Sequence, residues 1–244
     1  MTGREKVEIC VGDVASALAA AAGSAHRIEL CDNLAVGGTT PSAGTIAESC
    51  LRLSIPVHVL IRPRAGDFVY SEPEIAVMRR DIEVAKALGA AGVVLGVLTP
   101  EGAIDRNQTE ALIALARPLC ITFHKAFDQT PAPLEALDTL IDMGVERVLT
   151  SGGRPTALEG VEMLAQLVDR ARGRIAIMAG GRLDIANLET VIRRSRIREV
   201  HVGSAASRTI DGATPAQSLD GSDISRIQTD AQRVAAIVAL TKGL

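Results

Sequence analysis

The feature that most constrains this chain is a repeated phrase: a short apolar strand that runs into a burst of charged or reactive residues, then an Ala- and Leu-rich helical stretch. Glu8-Ile-Cys10, Glu29-Leu-Cys31-Asp32, Ile61-Arg62-Pro63-Arg64, Phe123-His124-Lys125, Leu149-Thr150-Ser151-Gly152-Gly153 and Val200-His201-Val202 all follow it. About eight rounds of strand, reactive tip and helix predict a (β/α)8 TIM barrel, which gathers its chemistry at the C-terminal tips of its strands. The 244 residues suit one such barrel, whose usual length is about 250. Apolar residues make up 47% but aromatics only 2%, so the core is branched and small, as the layered interior of a parallel barrel requires.

Bulk properties narrow the partners. A net charge of -3, no Trp and one Tyr offer neither a basic face nor a stacking platform for nucleic acid. No apolar run approaches the roughly 18 residues of a membrane span. The first residues, Met1-Thr-Gly-Arg-Glu-Lys6, carry no apolar signal core, so a cytoplasmic protein is expected. Its four cysteines form no CxxC pair and predict no disulfide framework.

Periodicity and punctuation place the elements. Strands are predicted at Val7–Cys10, Arg27–Cys31, Val57–Ile61, Val93–Leu98, Cys120–Ala126, Arg147–Thr150, Ile175–Ala179 and Glu199–Val202. Helices are predicted at Val14–Ala22, Thr45–Leu53, Glu74–Leu88, Gln108–Ala116, Pro131–Met143, Ala157–Arg170 and Ile185–Arg194 (capped by Asp184), with a last one from Ile224 to Leu240. A long Gly/Thr/Pro loop, 32–44, is expected to cover a ligand. No linker splits the chain: residues 1–244 read as one domain, with the barrel over about 7–205 and a polar Gly/Ser-rich tail plus final helix after it.

Alternation along each strand decides which side chains share a face. Glu8 pairs with Cys10 in this sense, Glu29 with Cys31, His58 with Leu60 and Arg62, Thr122 with His124, and Glu199 with His201. Charges on an inward face must find partners, because a buried unpaired charge is strongly unfavourable. The acids Glu8 and Glu29 and the bases Arg62 and His124 are expected to satisfy one another, as a site at the mouth or as a structural network. Lys125, of opposite parity, is expected to face a helix or solvent.

Cys10 and Cys31 end adjacent strands, which lie about 4.8 Å apart. Two thiols so placed can share one ion, and thiolates select a soft one such as Cu(I); equally, free Cys is often simply a small buried hydrophobe. His124, with Asp128 shortly after it, suits proton transfer near neutrality. Glu29, Arg62, His124, Asp128 and His201 are therefore the candidate catalytic set. Ser151-Gly152, Gly180-Gly181 and Gly203-Ser204 end the last three strands, and in many barrels the loops after the seventh and eighth strands hold phosphate. With Arg62 and Arg64 as a possible fork, they make a candidate anion site; tight turns would call for the same glycines.

Taken in order and spacing, several of these segments resemble the CutC copper-homeostasis family. They are Glu29-Leu-Cys-Asp32 with Gly37-Gly-Thr-Thr-Pro-Ser42, Val57-His-Val-Leu-Ile-Arg-Pro-Arg64 with Asp67-Phe-Val-Tyr-Ser71, Thr122-Phe-His-Lys-Ala-Phe-Asp128, Arg147-Val-Leu-Thr-Ser-Gly152, Ile177-Met-Ala-Gly-Gly181 and Glu199-Val-His201. The resemblance implies a TIM-barrel, cytoplasmic copper-binding protein, with Cys10 and Cys31 as the copper ligands. Within it, Lys125 stands where the family usually has Arg, Val36 where it has Glu, and Gly203 where it often has Ser. Two functions follow as alternatives. One is Cu(I) binding in copper homeostasis. The other is an enzyme (isomerase, lyase or hydrolase) acting on a small phosphorylated or carboxylate metabolite. A homodimer built on Ala/Leu faces is the expected assembly.

Overall fold

A computed structural model describes residues 6–210, 216–217, 223–224 and 227–242. Eight parallel strands close into a barrel in chain order. They are β1 (Lys6–Val11), β2 (Arg27–Leu30), β3 (Val57–Leu60), β4 (Gly92–Leu95), β5 (Cys120–Phe123), β6 (Arg147–Thr150), β7 (Ala176–Gly180) and β8 (Glu199–Val202). The ring closes where β8 pairs with β1, Glu8 opposite His201. The helices α1 (Val14–Ala22), α2 (Ala43–Arg52), α3 (Glu72–Ala87), α4 (Arg106–Ala116), α5 (Pro133–Asp142), α6 (Val161–Ala171), α7 (Leu188–Ser195) and α8 (Ala231–Thr241) follow the strands in turn.

Local chemistry sets these boundaries. The Asp13 carboxylate accepts the Ser16 N–H at 2.7 Å and starts α1 by satisfying an N-terminal orphan donor. Glu74 takes the Ser71 N–H at 2.7 Å and opens α3, a reciprocal capping arrangement. Outward-facing strand residues such as Ile9, Ile28, Val59, Val93 and Ile121 pack under the helices in one continuous, fully buried core.

Most boundaries shift from the sequence reading, and four of the larger shifts have a visible local cause. The apolar run 93–98 stops being strand at Leu95; Leu98 instead bridges Ile104. The fifth strand ends at Phe123, because His124 Nδ1 accepts the Ala126 N–H at 3.2 Å and turns the chain into a short 3-10 helix, Lys125–Gln129. The seventh helix starts at Leu188, after Asn187; Asp184 caps the turn before it, accepting the Ala186 and Asn187 N–H groups. The last helix starts at Ala231, capped by Asp230, while Ile227–Thr229 is a strand paired antiparallel with Ser207–Thr209. Of the expected polar tail, residues 211–215 and 218–222 lie outside the described residues, as do 225–226 of the expected last helix.

Candidate functional site

The barrel interior is layered by charge. At its N-terminal end Arg27 donates to Glu8 through Nε and to Glu199 through Nη2 at 3.0 Å, and Arg147 also pairs with Glu199. All four are buried. Burial works to raise the Glu8 pKa, but Arg27 beside it and the hydrogen bond from His201 hold it well below the usual carboxylate range. The acids were expected to pair with Arg62 and His124. Instead Glu8 pairs with Arg27 and His201, and Glu29 lies beside His201. The signal was present in the sequence, since Arg27 shares the parity of Glu29.

Above that layer lies a thiol–carboxylate–imidazole group. Register sets Cys10 directly opposite Glu29 across the first two strands, and Cys31 follows β2 with its N–H on the Val11 carbonyl. Cys10 Sγ and Cys31 Sγ stand 3.7 Å apart. Donor atoms of Cys10, Glu29 and Cys31 all lie within 4.8 Å of one another. His201 Nδ1 is 2.8 Å from Glu8, and its Nε2 is 3.7 Å from Glu29.

These neighbours set the protonation pattern. The Cys31 thiol donates to Cys10 and, with His201, brings the Cys10 pKa down to about 5 despite burial. The same hydrogen bond, with burial, pushes the Cys31 pKa well up. Burial raises Glu29 to about 8. Burial acts to lower His201, but Glu29, Cys10 and Glu8 outweigh it and hold the imidazole well above its ordinary value. The outcome is one thiolate, one thiol and one imidazolium in contact.

The other expected site residues divide. Arg62, buried, gives Nη1 to the Val36 and Gly38 carbonyls and Nη2 to Gly66 O, so it clamps the 32–44 loop to the barrel. Arg64 holds Glu74, Asp67 and the Val69 carbonyl. Asp128 accepts from Thr150 Oγ1, from Ser151 Oγ and from the Ser151 and Gly153 N–H groups, pinning the loop after β6. In that loop Ser151 and Gly152 are buried. Gly180 packs against Leu149 and His201, and Gly181 against Ser151. His124, Arg62, Glu29, Cys10, His201, Gly203 and Ser204 line one cavity of about 1040 Å3 at the strand tips. Lys125 is exposed, as expected, and from there also lines the cavity: β5 has already ended, so strand alternation no longer governs its direction. All four cysteines are free thiols; Cys120 lies at the opposite end, beside Arg147.

The comparisons with known proteins agree on kinship. The model of the CutC family matches residues 5–207. This chain belongs to the CutC family. Among its relatives, the "Copper homeostasis protein cutC homolog" of Mus musculus is 44% identical over 242 residues, covering 97% of this chain and 89% of that one. A family protein CutC from Porphyromonas gingivalis is 44% identical over 247 residues, covering 98% and 99%. The crystal structure of the putative copper homeostasis protein CutC from Streptococcus agalactiae superposes with a TM-score of 0.77 at 35% identity, covering 82% of this chain and 98% of that one. Copper homeostasis is thus the setting in which CutC proteins are named, and the barrel is the CutC barrel.

Proposed function

We propose that this CutC chain binds Cu(I) as cargo through Cys10 and Cys31. The observation that carries the reading is the pair of sulfurs 3.7 Å apart, one of them held as thiolate at neutral pH. Thiolate sulfur is the donor type that selects soft Cu(I), whereas structural zinc takes four ligands. Among the described residues only Glu29 adds a third donor. The imidazolium of His201 supports the thiolate and offsets its charge. Free thiols persist in a reducing compartment, so the cytoplasm is the location that fits four unpaired cysteines.

The test is a Cu(I) titration against a calibrated competing chelator. Wild type should take up one ion tightly, and Cys10→Ala/Cys31→Ala should lose more than about 100-fold in affinity. His201→Asn, which leaves both sulfurs, should cost about tenfold, the usual effect of removing an outer partner. Equal binding by wild type and the double variant would sink the reading.

A further inference from the structure

The mouth cavity is far larger than a single ion requires. At about 1040 Å3 it is at the upper end of pockets that hold organic ligands, which run to about 1,000 Å3. Its lining is not explained by the thiol pair, and among the described residues three side-chain groups in it have no ion-pair or hydrogen-bond partner.

The first is His124. It is 5% exposed. Its Nδ1 accepts the Ala126 N–H at 3.2 Å, which fixes the neutral tautomer with the proton on Nε2. That Nε2–H is buried without a hydrogen-bond partner, a costly state for a donor. Burial and the Arg62 charge bring the His124 pKa down to about 3, so the ring stays a neutral donor. Phe68 packs against it with the rings tilted by 49° and 4.7 Å between centroids, and the Arg62 guanidinium lies 5.1 Å from the Phe68 centroid, so the ring cannot swing away freely.

The other two are cations. Lys125 and Arg182 both line the cavity, and among the described residues neither has a carboxylate within ion-pair distance. The Lys125 ammonium lies against the loop after β7: Nζ is 3.8 Å from where a Cβ on Gly181 would sit, and Arg182 follows directly. Arg182 is held at φ +52, a left-handed backbone that non-glycine residues seldom adopt. Gly203 and Ser204, after β8, complete this side of the lining. Loops after the seventh and eighth strands are where barrels of this kind hold phosphate. The acids in the lining do not compete: Asp13 is the cap of α1, and Glu29 is turned to His201 and Cys10.

We infer that the mouth binds a small phosphorylated metabolite, its phosphate between Lys125, Arg182 and the β8 loop, and a carbonyl or hydroxyl oxygen on His124 Nε2–H. Its three groups are not the sulfurs of the copper reading, although Cys10 lines the same cavity. A dianion met by two cations and a neutral donor is favoured over a carboxylate monoanion by charge alone.

Isothermal titration calorimetry on metal-free protein tests it, with inorganic phosphate, glycerol phosphate, ribose phosphate and the carboxylate glycerate as probes. Saturable binding of the phosphate esters is expected, about tenfold or more tighter than glycerate. Lys125→Met and Arg182→Met, both at exposed positions, should each weaken the esters about tenfold. His124→Gln should weaken the esters while sparing inorganic phosphate. No saturable binding up to about 10 mM, equal affinity for glycerate, or indifference to the Lys125/Arg182 double substitution would each overturn the inference.

Discussion

Cys10 and Cys31 are the same chemical group one strand apart, yet their environments drive them in opposite directions. Cys10 accepts a hydrogen bond from Cys31 and lies beside protonated His201, so its thiolate is favoured; Cys31 donates and is sealed at 1% exposure. Thiolate, not thiol, is the nucleophile. Alkylation by iodoacetamide followed by mass spectrometry should therefore mark Cys10 first, with a rate that rises through about pH 5. In His201→Asn that midpoint should move upward. Preferential labelling of Cys31, or a midpoint near 9 in wild type, would show that the imidazolium does not hold Cys10 as described.

At the scale of elements, the loop between β6 and α6 is the tightest join in the barrel wall. Gly152 sits at φ +72, and a Cβ there would be 2.4 Å from the Gly160 carbonyl oxygen. Asp128, reaching from the 3-10 turn after β5, collects two backbone N–H groups and two hydroxyls of this loop. This loop is thus held by backbone contact and by one carboxylate, which fix the strand tips beside it. Gly152→Ala should cost more than about 3 kcal/mol, since both the conformation and the space are wrong for a side chain. Urea unfolding would measure it. A loss below about 1 kcal/mol would mean the backbone there relaxes far more readily than this packing implies.

For the whole molecule, the charged barrel interior ties stability to pH. His58 is buried among Glu8, Arg27, Arg147 and Glu199, and burial brings its pKa down to about 4. In the unfolded chain it titrates near 6.5. Between those values the unfolded state holds a proton that the folded state does not. Stability from this group is therefore full above about pH 6.5 and is lost as pH falls toward 4. His201 acts oppositely: its folded pKa is raised, so its contribution is complete below about 6.5 and fades as pH climbs through the folded value. Comparing wild type with His58→Asn isolates the first effect. The variant's unfolding free energy should fall less steeply over pH 6.5 to 4, by up to about 1.4 kcal/mol per pH unit. Parallel curves would place the His58 proton in both states.

Much of this was legible in the chain before folding. Strand period, caps and glycines located eight strands and eight helices, because those signals act over a few residues: β6, β8 and α1 begin and end where periodicity puts them. Parity also brought Cys10 and Cys31 to one face, since a pleated strand leaves no alternative. What local signals could not supply was anything set by closure of the ring. Only the joining of β8 to β1 brings His201 onto Glu8 and Glu29, across a separation of 193 residues in the first case. The partnership of Arg27 and Arg147 with Glu199, the diversion of Arg62 to the carbonyls of a loop, and the entry of Lys125 into the cavity depend likewise on where distant segments meet. Sequence determined which residues reach the strand tips. The tertiary structure decided which of them are neutralised there and which are left with charge or a donor to offer, because burial and pairing are properties of the closed barrel.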